Sequence, residues 1–400
     1  MAKMIVDLRS DTVTLPTDEM REAMHKAEVG DDVYHEDPTI TKLEQLAAER
    51  LGKEAAVYVP SGCMGNACAV IVHTQLKGAL IIERRGHINT TEKPGMERLL
   101  RVKIIALDSP TGYLSPEQVD RAAREARAHG DDVRLLCLEN TCNVAGGVVV
   151  PLERMAALNA TARKHGLKVH LDGARIFNAA TALKVDVKDI AKHADSVMFC
   201  VSKGLSAPVG SLVAGTHEFI KEARIARQML GGQMRQAGVI AAAGVVALTK
   251  MPSRLQEDHD NARLLAEAMA KMPGLRVDIN NVQTNIFMAW ADSQAKAEKL
   301  VALAEAAGVR FRSFGGGMMR LVTNKEVTRE GVLYAIGVIG RCIKKLNQKP
   351  ETRNPIQTRK RKPERRLADI ASGLAFRVSF GFLVSGFGFH RAVLVHTKGA

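Results

Sequence analysis

Residues 196–211 read SVMFCVSKGLSAPVGS. A mostly apolar run, Ser196 to Val201, leads into Ser202 and Lys203, and the chain then breaks into Gly204, Pro208 and Gly210. A Val- and Phe-rich stretch of this length predicts a buried strand. An ammonium is costly to bury unless it is paired or chemically altered. Lys203, at the end of such a strand, therefore either escapes to solvent or stands where it can react.

Working outward, "LKVHLD" (167–172) predicts a short strand that ends in a turn at Asp172–Gly173. Before it, "PLERMAALNATARKHG" (151–166) opens on Pro151, places Leu152, Met155 and Ala156 on one face and closes at Gly166, the pattern of a glycine-capped helix. "SPEQVDRAAREA" (115–126) predicts another helix, with Ser115 as cap, Pro116 at the first position and Gln118 completing a capping box. Helix and strand patterns alternate from about residue 40 to 250. That order predicts an α/β fold with a mainly parallel sheet covered by helices. Ligands bind beyond the carboxyl ends of the strands in such sheets, so Asp172 and Lys203 are expected at one pocket.

After Pro252 the pattern changes to a helix at 254–274, short strands in "TNIFMAWA", "VRFRSFG" and "MMRLVTN", and a closing helix in "TREGVLYAIGVIGRCIKKL". The expected organisation is an N-terminal segment (1–45), a large domain (46–250), a small α+β domain (251–347) and a basic, disordered tail (348–400). No internal repeat is visible.

The 400 residues suffice for two domains and a substantial core. A hydrophobic content of 46% and a charged content of 25% are ordinary for a soluble globular protein. No apolar run approaches the roughly 20 residues of a membrane span. The opening stretch resembles neither a secretory signal nor an Arg-rich presequence, which points to a cytoplasmic protein. Of the net charge of +14, more than half resides in 348–400, where eleven Lys or Arg face three acids. That run is either a polyanion or nuclear address or a solvated filler, and the global charge is not read as a nucleic-acid signal. Six cysteines include two C-x4-C pairs, Cys63/Cys68 and Cys137/Cys142. This is not a usual zinc spacing, and apolar surroundings favour reduced core cysteines; no metal is expected.

A desolvated lysine at a strand end can act as a nucleophile and form a Schiff base with an aldehyde cofactor. Pyridoxal phosphate needs such a lysine, an acid partner for its pyridinium nitrogen and an anion cradle for its phosphate. Asp172 has the chemistry of the acid. "PSGCMGNACAVIV" (60–72) is a glycine turn opening into an apolar helix, whose free N–H groups and positive end suit a phosphate. His87 follows the apolar "ALIIE" and either stacks on a flat ring or is a surface turn residue. Arg175, three residues after Asp172, and Arg320, from the small domain, are candidates for clamping a carboxylate; each could instead be a surface ion pair.

Seven blocks in order, "VDLRSDTVTLPTDEM", "VGDDVYHEDPT", "PSGCMGN", "HLDGARIFNAA", "SVMFCVSKGLSAPVGSLVAG", "MLGGQMRQAGVIAAAG" and "RLVTN", resemble those of the low-specificity L-threonine aldolases, from about Asp7 to Leu346. The resemblance implies a fold type I pyridoxal-phosphate enzyme, aspartate-aminotransferase-like, assembled as a homotetramer of two dimers with sites shared between subunits. It implies retro-aldol cleavage of L-threonine and L-allo-threonine to glycine and acetaldehyde. By the same resemblance Lys203 carries the cofactor, Asp172 pairs with the pyridinium and His87 stacks on the ring. Gly62 and Cys63 hold the phosphate, joined by Arg235 of a neighbouring subunit. Ser10, Arg175 and Arg320 hold the substrate carboxylate, and Glu92 lies near the reacting hydroxyl through water. A water held by His87 and Glu92 is the candidate base. The chain departs from the family pattern at His35, usually glycine, at Cys63, usually threonine, and at "HINTTE", which lacks an aromatic residue near Thr91. It departs also at Cys142, which replaces a substrate-side histidine. The alternatives are a different pyridoxal-phosphate lyase or transaminase, or a catalytically weakened cofactor-binding homologue.

Overall fold

In the computed structural model, residues 4–348 are described; the tail from 349 onward lies outside them. The larger sheet has seven strands in the spatial order Ala55–Val59, Ser211–Gly215, Ser196–Cys200, Lys168–Asp172, Val133–Glu139, Ala79–Glu83, Lys103–Leu107. Ser211–Gly215 is antiparallel to both neighbours, and the other adjacent pairs are parallel. The fold is α/β with a mainly parallel sheet, as expected.

Both faces of this sheet are buried, and successive side chains alternate between them. Val197 and Phe199 face one core, shared with the helices Pro38–Leu51, Leu152–Lys164 and Gly238–Lys250. Met198 and Cys200 face the other, shared with the helices Gly62–Thr74 and His217–Met229. The same alternation sends Val169 and Leu171 to the first core, so His170 and Asp172 point toward the Gly62–Thr74 helix. The capping box at Ser115–Gln118 forms in both directions.

A second, antiparallel sheet has the order Arg312–Gly315, Met318–Val322, Ile286–Ala291, Leu275–Val277. The helices Leu255–Ala270, Gln294–Ala306 and Arg329–Asn347 supply its own apolar core. Two details differ from the sequence reading. The stretch "VRFRSFG" is two strands, because Phe311 turns into the core; Val309–Arg310 pairs in parallel with Val6–Asp7, and only Arg312–Gly315 joins the sheet. The N-terminal segment is thereby tied to the second core through Val6 and Leu8. Second, the strand beginning at Ser196 stops at Cys200, and Lys203 lies three residues beyond it in a loop. Val201 N–H bonds to the Gly210 carbonyl at 3.2 Å and Ala207 N–H to the Val201 carbonyl at 3.0 Å, which folds that loop on itself. Gly210 closes it at φ +106°, where a Cβ would meet the Tyr58 hydroxyl at 2.2 Å. Among the described residues, no helix is long and apolar enough to cross a membrane.

Candidate active site

The parallel strands deliver their carboxyl ends to one cavity of about 260 Å³. Asp172 ends its strand, Glu139 ends the next, and the register sets these two residues side by side. His87 follows Ala79–Glu83 by four residues, and Lys203 enters from the loop after Cys200. Ser10, His87, Asp172, Arg175, Lys203 and Arg320 all line this cavity, so six sequence-derived candidates from distant segments converge.

Asp172 is 3% exposed. Its Oδ1 accepts from Ala174 N–H at 3.1 Å and its Oδ2 from Asn66 Nδ2 at 2.9 Å. None of the ion pairs among the described residues includes it. A buried carboxylate without a cation is costly, and this one sits in the wall of the cavity that Lys203 also lines. A ring N–H⁺ is the partner such a group lacks. Nearby, Ser61 caps the Gly62–Thr74 helix by accepting from Met64 N–H at 3.2 Å. Gly62 and Cys63, in the first turn, have N–H groups with no intrahelical acceptor, and the helix end is positive. A Cβ on Gly62 would come within 3.0 Å of Cys200 Sγ. This donor set fits pyridoxal phosphate: an amine, an uncompensated carboxylate and a helix N-terminus.

His87 and Glu92 form a tight pair, Nδ1 to Oε1 at 2.5 Å. That hydrogen bond, acting against burial, raises the His87 pKa above its ordinary value. His87 N–H donates to Glu139 Oε2 at 2.7 Å, and Asn143 N–H donates to Glu139 Oε1 at 2.9 Å. Burial, and then the Asp172 charge, push the Glu139 carboxyl up to about 7 despite these donors. Glu92 itself lies outside the lining of the Lys203 cavity; it borders an adjoining space with Cys63, and Thr91 is common to both.

The two arginines differ. Arg175 is committed to Asp11: Nε donates at 2.7 Å and Nη2 at 2.6 Å, with Asp11 fully buried. Burial alone would raise the Asp11 carboxyl, but Arg175 outweighs it and the acid ends below its ordinary value. Arg320 has no acid partner among the described residues. It donates to Asn143 Oδ1 at 2.9 Å and the Arg9 carbonyl at 3.2 Å, and its buried Nε is unpartnered. Its guanidinium lies 4.8 Å over the Phe314 ring. Burial, then repulsion from Arg175, push its pKa down to about 10. It is still charged at neutral pH, and like Arg312, which lines the same cavity, it has no acid partner among the described residues.

Gly62 and Cys63, like Glu92, do not line the Lys203 cavity itself, and two further expected residues stand apart from it. Cys142 was expected beside the substrate hydroxyl, but its side chain is buried in a small separate space behind Glu139, near Gly112. The bridge from Cys142 to Val148 orients the turn, and Asn143 and Val144 line the main cavity in its stead. Arg235 is exposed, its side chain 64% accessible and 3.4 Å from Asp31, and it does not line the Lys203 cavity of its own chain. The sequence reading passed over Asp11, Glu139 and Asn66. Asn66 did leave a signal: it is the one amide side chain on the mostly apolar helix Gly62–Thr74.

Cys63, His87 and Glu92 bring possible metal-ligand atoms within 4.8 Å of one another. However, His87 Nδ1 is already held by Glu92, and burial followed by the Glu92 charge pushes the Cys63 thiol up to about 11. A metal needs the thiolate. The C-x4-C spacing builds no site: Cys63 is exposed, whereas Cys68, Cys137 and Cys142 are buried and unbridged.

The chain matches the family model described as beta-eliminating lyase over residues 7–293. It is 43% identical over 338 residues to low-specificity L-threonine aldolase 1 of Arabidopsis thaliana, covering 83% of this chain and 94% of the relative. It is 39% identical over 328 residues to the low specificity L-threonine aldolase of Escherichia coli K12, covering 82% of this chain and 96% of the relative. The fold is similar to that of Leishmania major threonine aldolase, with a TM-score of 0.73 at 19% identity, over 84% of this chain and 99% of that one.

Proposed function

Because the chain belongs to the beta-eliminating lyase family, and within it to the low-specificity L-threonine aldolases, we propose that it cleaves L-threonine and L-allo-threonine to glycine and acetaldehyde. The observation that carries the reading is one cavity lined by a lysine amine, a buried carboxylate without a cation and a guanidinium without an acid. Pyridoxal phosphate, when bound, supplies an electron sink for the bond that breaks at the amino acid's α-carbon. Lys203 would hold its aldehyde, Asp172 its ring nitrogen, His87 its ring face, and the Gly62 and Cys63 N–H groups its phosphate. Arg235, exposed on its own chain, is available to a neighbouring copy, which supports a homotetramer with shared sites.

Arg320 receives the substrate carboxylate, with Ser10 and the unused Nη1 of Arg175 beside it. This fixes which bond of the amino acid stands over the reacting position. His87, through a water on the cavity side of its ring, takes up the proton of the β-hydroxyl, and Glu92, hydrogen-bonded directly to its Nδ1, stabilises the imidazolium that results. Cys142, set behind Glu139, is not part of this contact set.

The test is product analysis of the holoenzyme with both threonine isomers. Equal amounts of glycine and acetaldehyde are expected; ammonia and a 2-oxo acid would instead mean elimination. Lys203→Ala should abolish both turnover and the visible absorbance of bound cofactor, and retention of both would refute the assignment.

A further inference from the structure

Behind the cavity wall runs a line of buried and half-buried polar groups, most of which the mechanism does not use. His73 Nε2 lies 2.7 Å from Ser196 Oγ, which lies 2.9 Å from His170 Nδ1. His170 Nε2 lies 3.0 Å from Asn66 Oδ1. Asn66 Nδ2 reaches two carboxylates at once, Asp172 Oδ2 and Glu92 Oε1, each at 2.9 Å. The line follows from side-chain periodicity: Asn66 and His73 are seven apart on one helix face, and Ser196, His170 and Asp172 share one face of the sheet.

Only one assignment of protons satisfies every group. The carboxylates are acceptors, so the Asn66 amide nitrogen must face them and its oxygen must accept. His170 Nε2 then carries the proton, its Nδ1 accepts from the Ser196 hydroxyl, and Ser196 accepts from His73 Nε2–H. Burial, reinforced by His73, pushes His170 down to about 3, and burial pushes His73 down to about 4, so both rings are neutral and the pattern persists at physiological pH.

We propose that Asn66, held in one orientation by His170, is a positioning residue that ties the cofactor-ring carboxylate Asp172 to the proton-accepting pair Glu92–His87. The inference rests on the reading that the cavity holds pyridoxal phosphate. One amide nitrogen donates to both acids, which keeps two neighbouring carboxylates ionised together and in fixed relation. Without it each acid loses a donor, and its proton affinity rises.

The experiment measures cofactor retention by visible absorbance during dialysis of the holoenzyme at pH 6 and pH 8.5, for the unmodified protein, Asn66→Leu and His170→Phe. Asn66→Leu removes a donor from Asp172, which favours the protonated form of the carboxyl and weakens its hold on the ring nitrogen as the pH falls. Cofactor affinity should fall by a larger factor at pH 6 than at pH 8.5, because the protonated form of the carboxyl gains on lowering the pH. His170→Phe keeps Asn66 but frees its amide to turn, and should show the same asymmetry at smaller size; it decides the matter if Asn66→Leu does not fold. Equal weakening at both pH values in the variant that folds would reduce Asn66 to a packing role and overturn the inference, as would no weakening at all. Absence of visible absorbance in the unmodified protein would overturn the cofactor reading as well.

Discussion

Arg320→Leu should weaken threonine capture by roughly ten- to 150-fold while leaving the fold nearly intact. The magnitude comes from the hydrogen bond between guanidinium and carboxylate, about 1.5–3 kcal/mol for a charged pair, at about 1.36 kcal/mol per factor of ten. The fold should tolerate the change because Arg320 leaves no acid behind: its partners are the neutral Asn143 amide and the Arg9 carbonyl. Its guanidinium is itself desolvated, as its depressed pKa of about 10 reflects, and a leucine can retain the apolar contact with Phe314. The assay is steady-state kinetics with L-threonine, paired with a denaturant midpoint on the same preparation. The loss should fall on KM, because the carboxylate is held equally before and during bond cleavage. A KM within twofold of the unmodified enzyme would refute the assignment of the carboxylate to Arg320. A collapse in the denaturant midpoint would refute the claim that this guanidinium is free of structural duty.

Asp11→Asn should do the opposite. It strands the buried Arg175 charge and should lower unfolding free energy by about 3–5 kcal/mol, read as a lower denaturant midpoint at unchanged slope; a change below about 1 kcal/mol would contradict the pair's geometry. Glu92→Gln removes the carboxylate that raises the His87 pKa. The imidazole then loses its proton at lower pH, and because it must be unprotonated to accept one, the acid limb of kcat/KM should extend to lower pH; an unmoved limb would remove His87 from the base. Ser206 sits at φ +65° with its buried hydroxyl unpartnered. Ser206→Gly should therefore stabilise the Lys203 loop by about 1 kcal/mol, visible as a raised unfolding midpoint, and a lowered midpoint would show that the hydroxyl has a role.

Periodicity and capping made much of this chain legible. The Ser115–Gln118 capping box, the Gly166 stop and the alternating strands at 168–172 and 196–200 depend on neighbours within a few residues. Those interactions are written directly in residue order. The rule that ligands gather beyond parallel strand ends carried Asp172 and Lys203 to one cavity. Residue type and position also singled out His87, Arg175 and Arg320, resemblance to a family added Ser10, and all four line it.

What the local pattern did not contain was which partner each group meets across the fold. Nothing near Arg175 in sequence announces Asp11, which lies 164 positions away. The splitting of "VRFRSFG" at Phe311 depends on where Val6–Asp7 lies, and the withdrawal of Cys142 depends on a turn closed through Val148. Asn66 illustrates both sides. Its presence on a mostly apolar helix was visible from residue types alone, whereas its contact with Asp172 and Glu92 required the helix to dock against the sheet at one rotation and one register. Residue order thus determined which segments would be helix or strand and which side chains had the right chemistry. The tertiary structure alone decided which charges neutralise each other and which are left for a ligand, because electrostatic and hydrogen-bond partners are selected by distance in space, and burial makes that selection decisive.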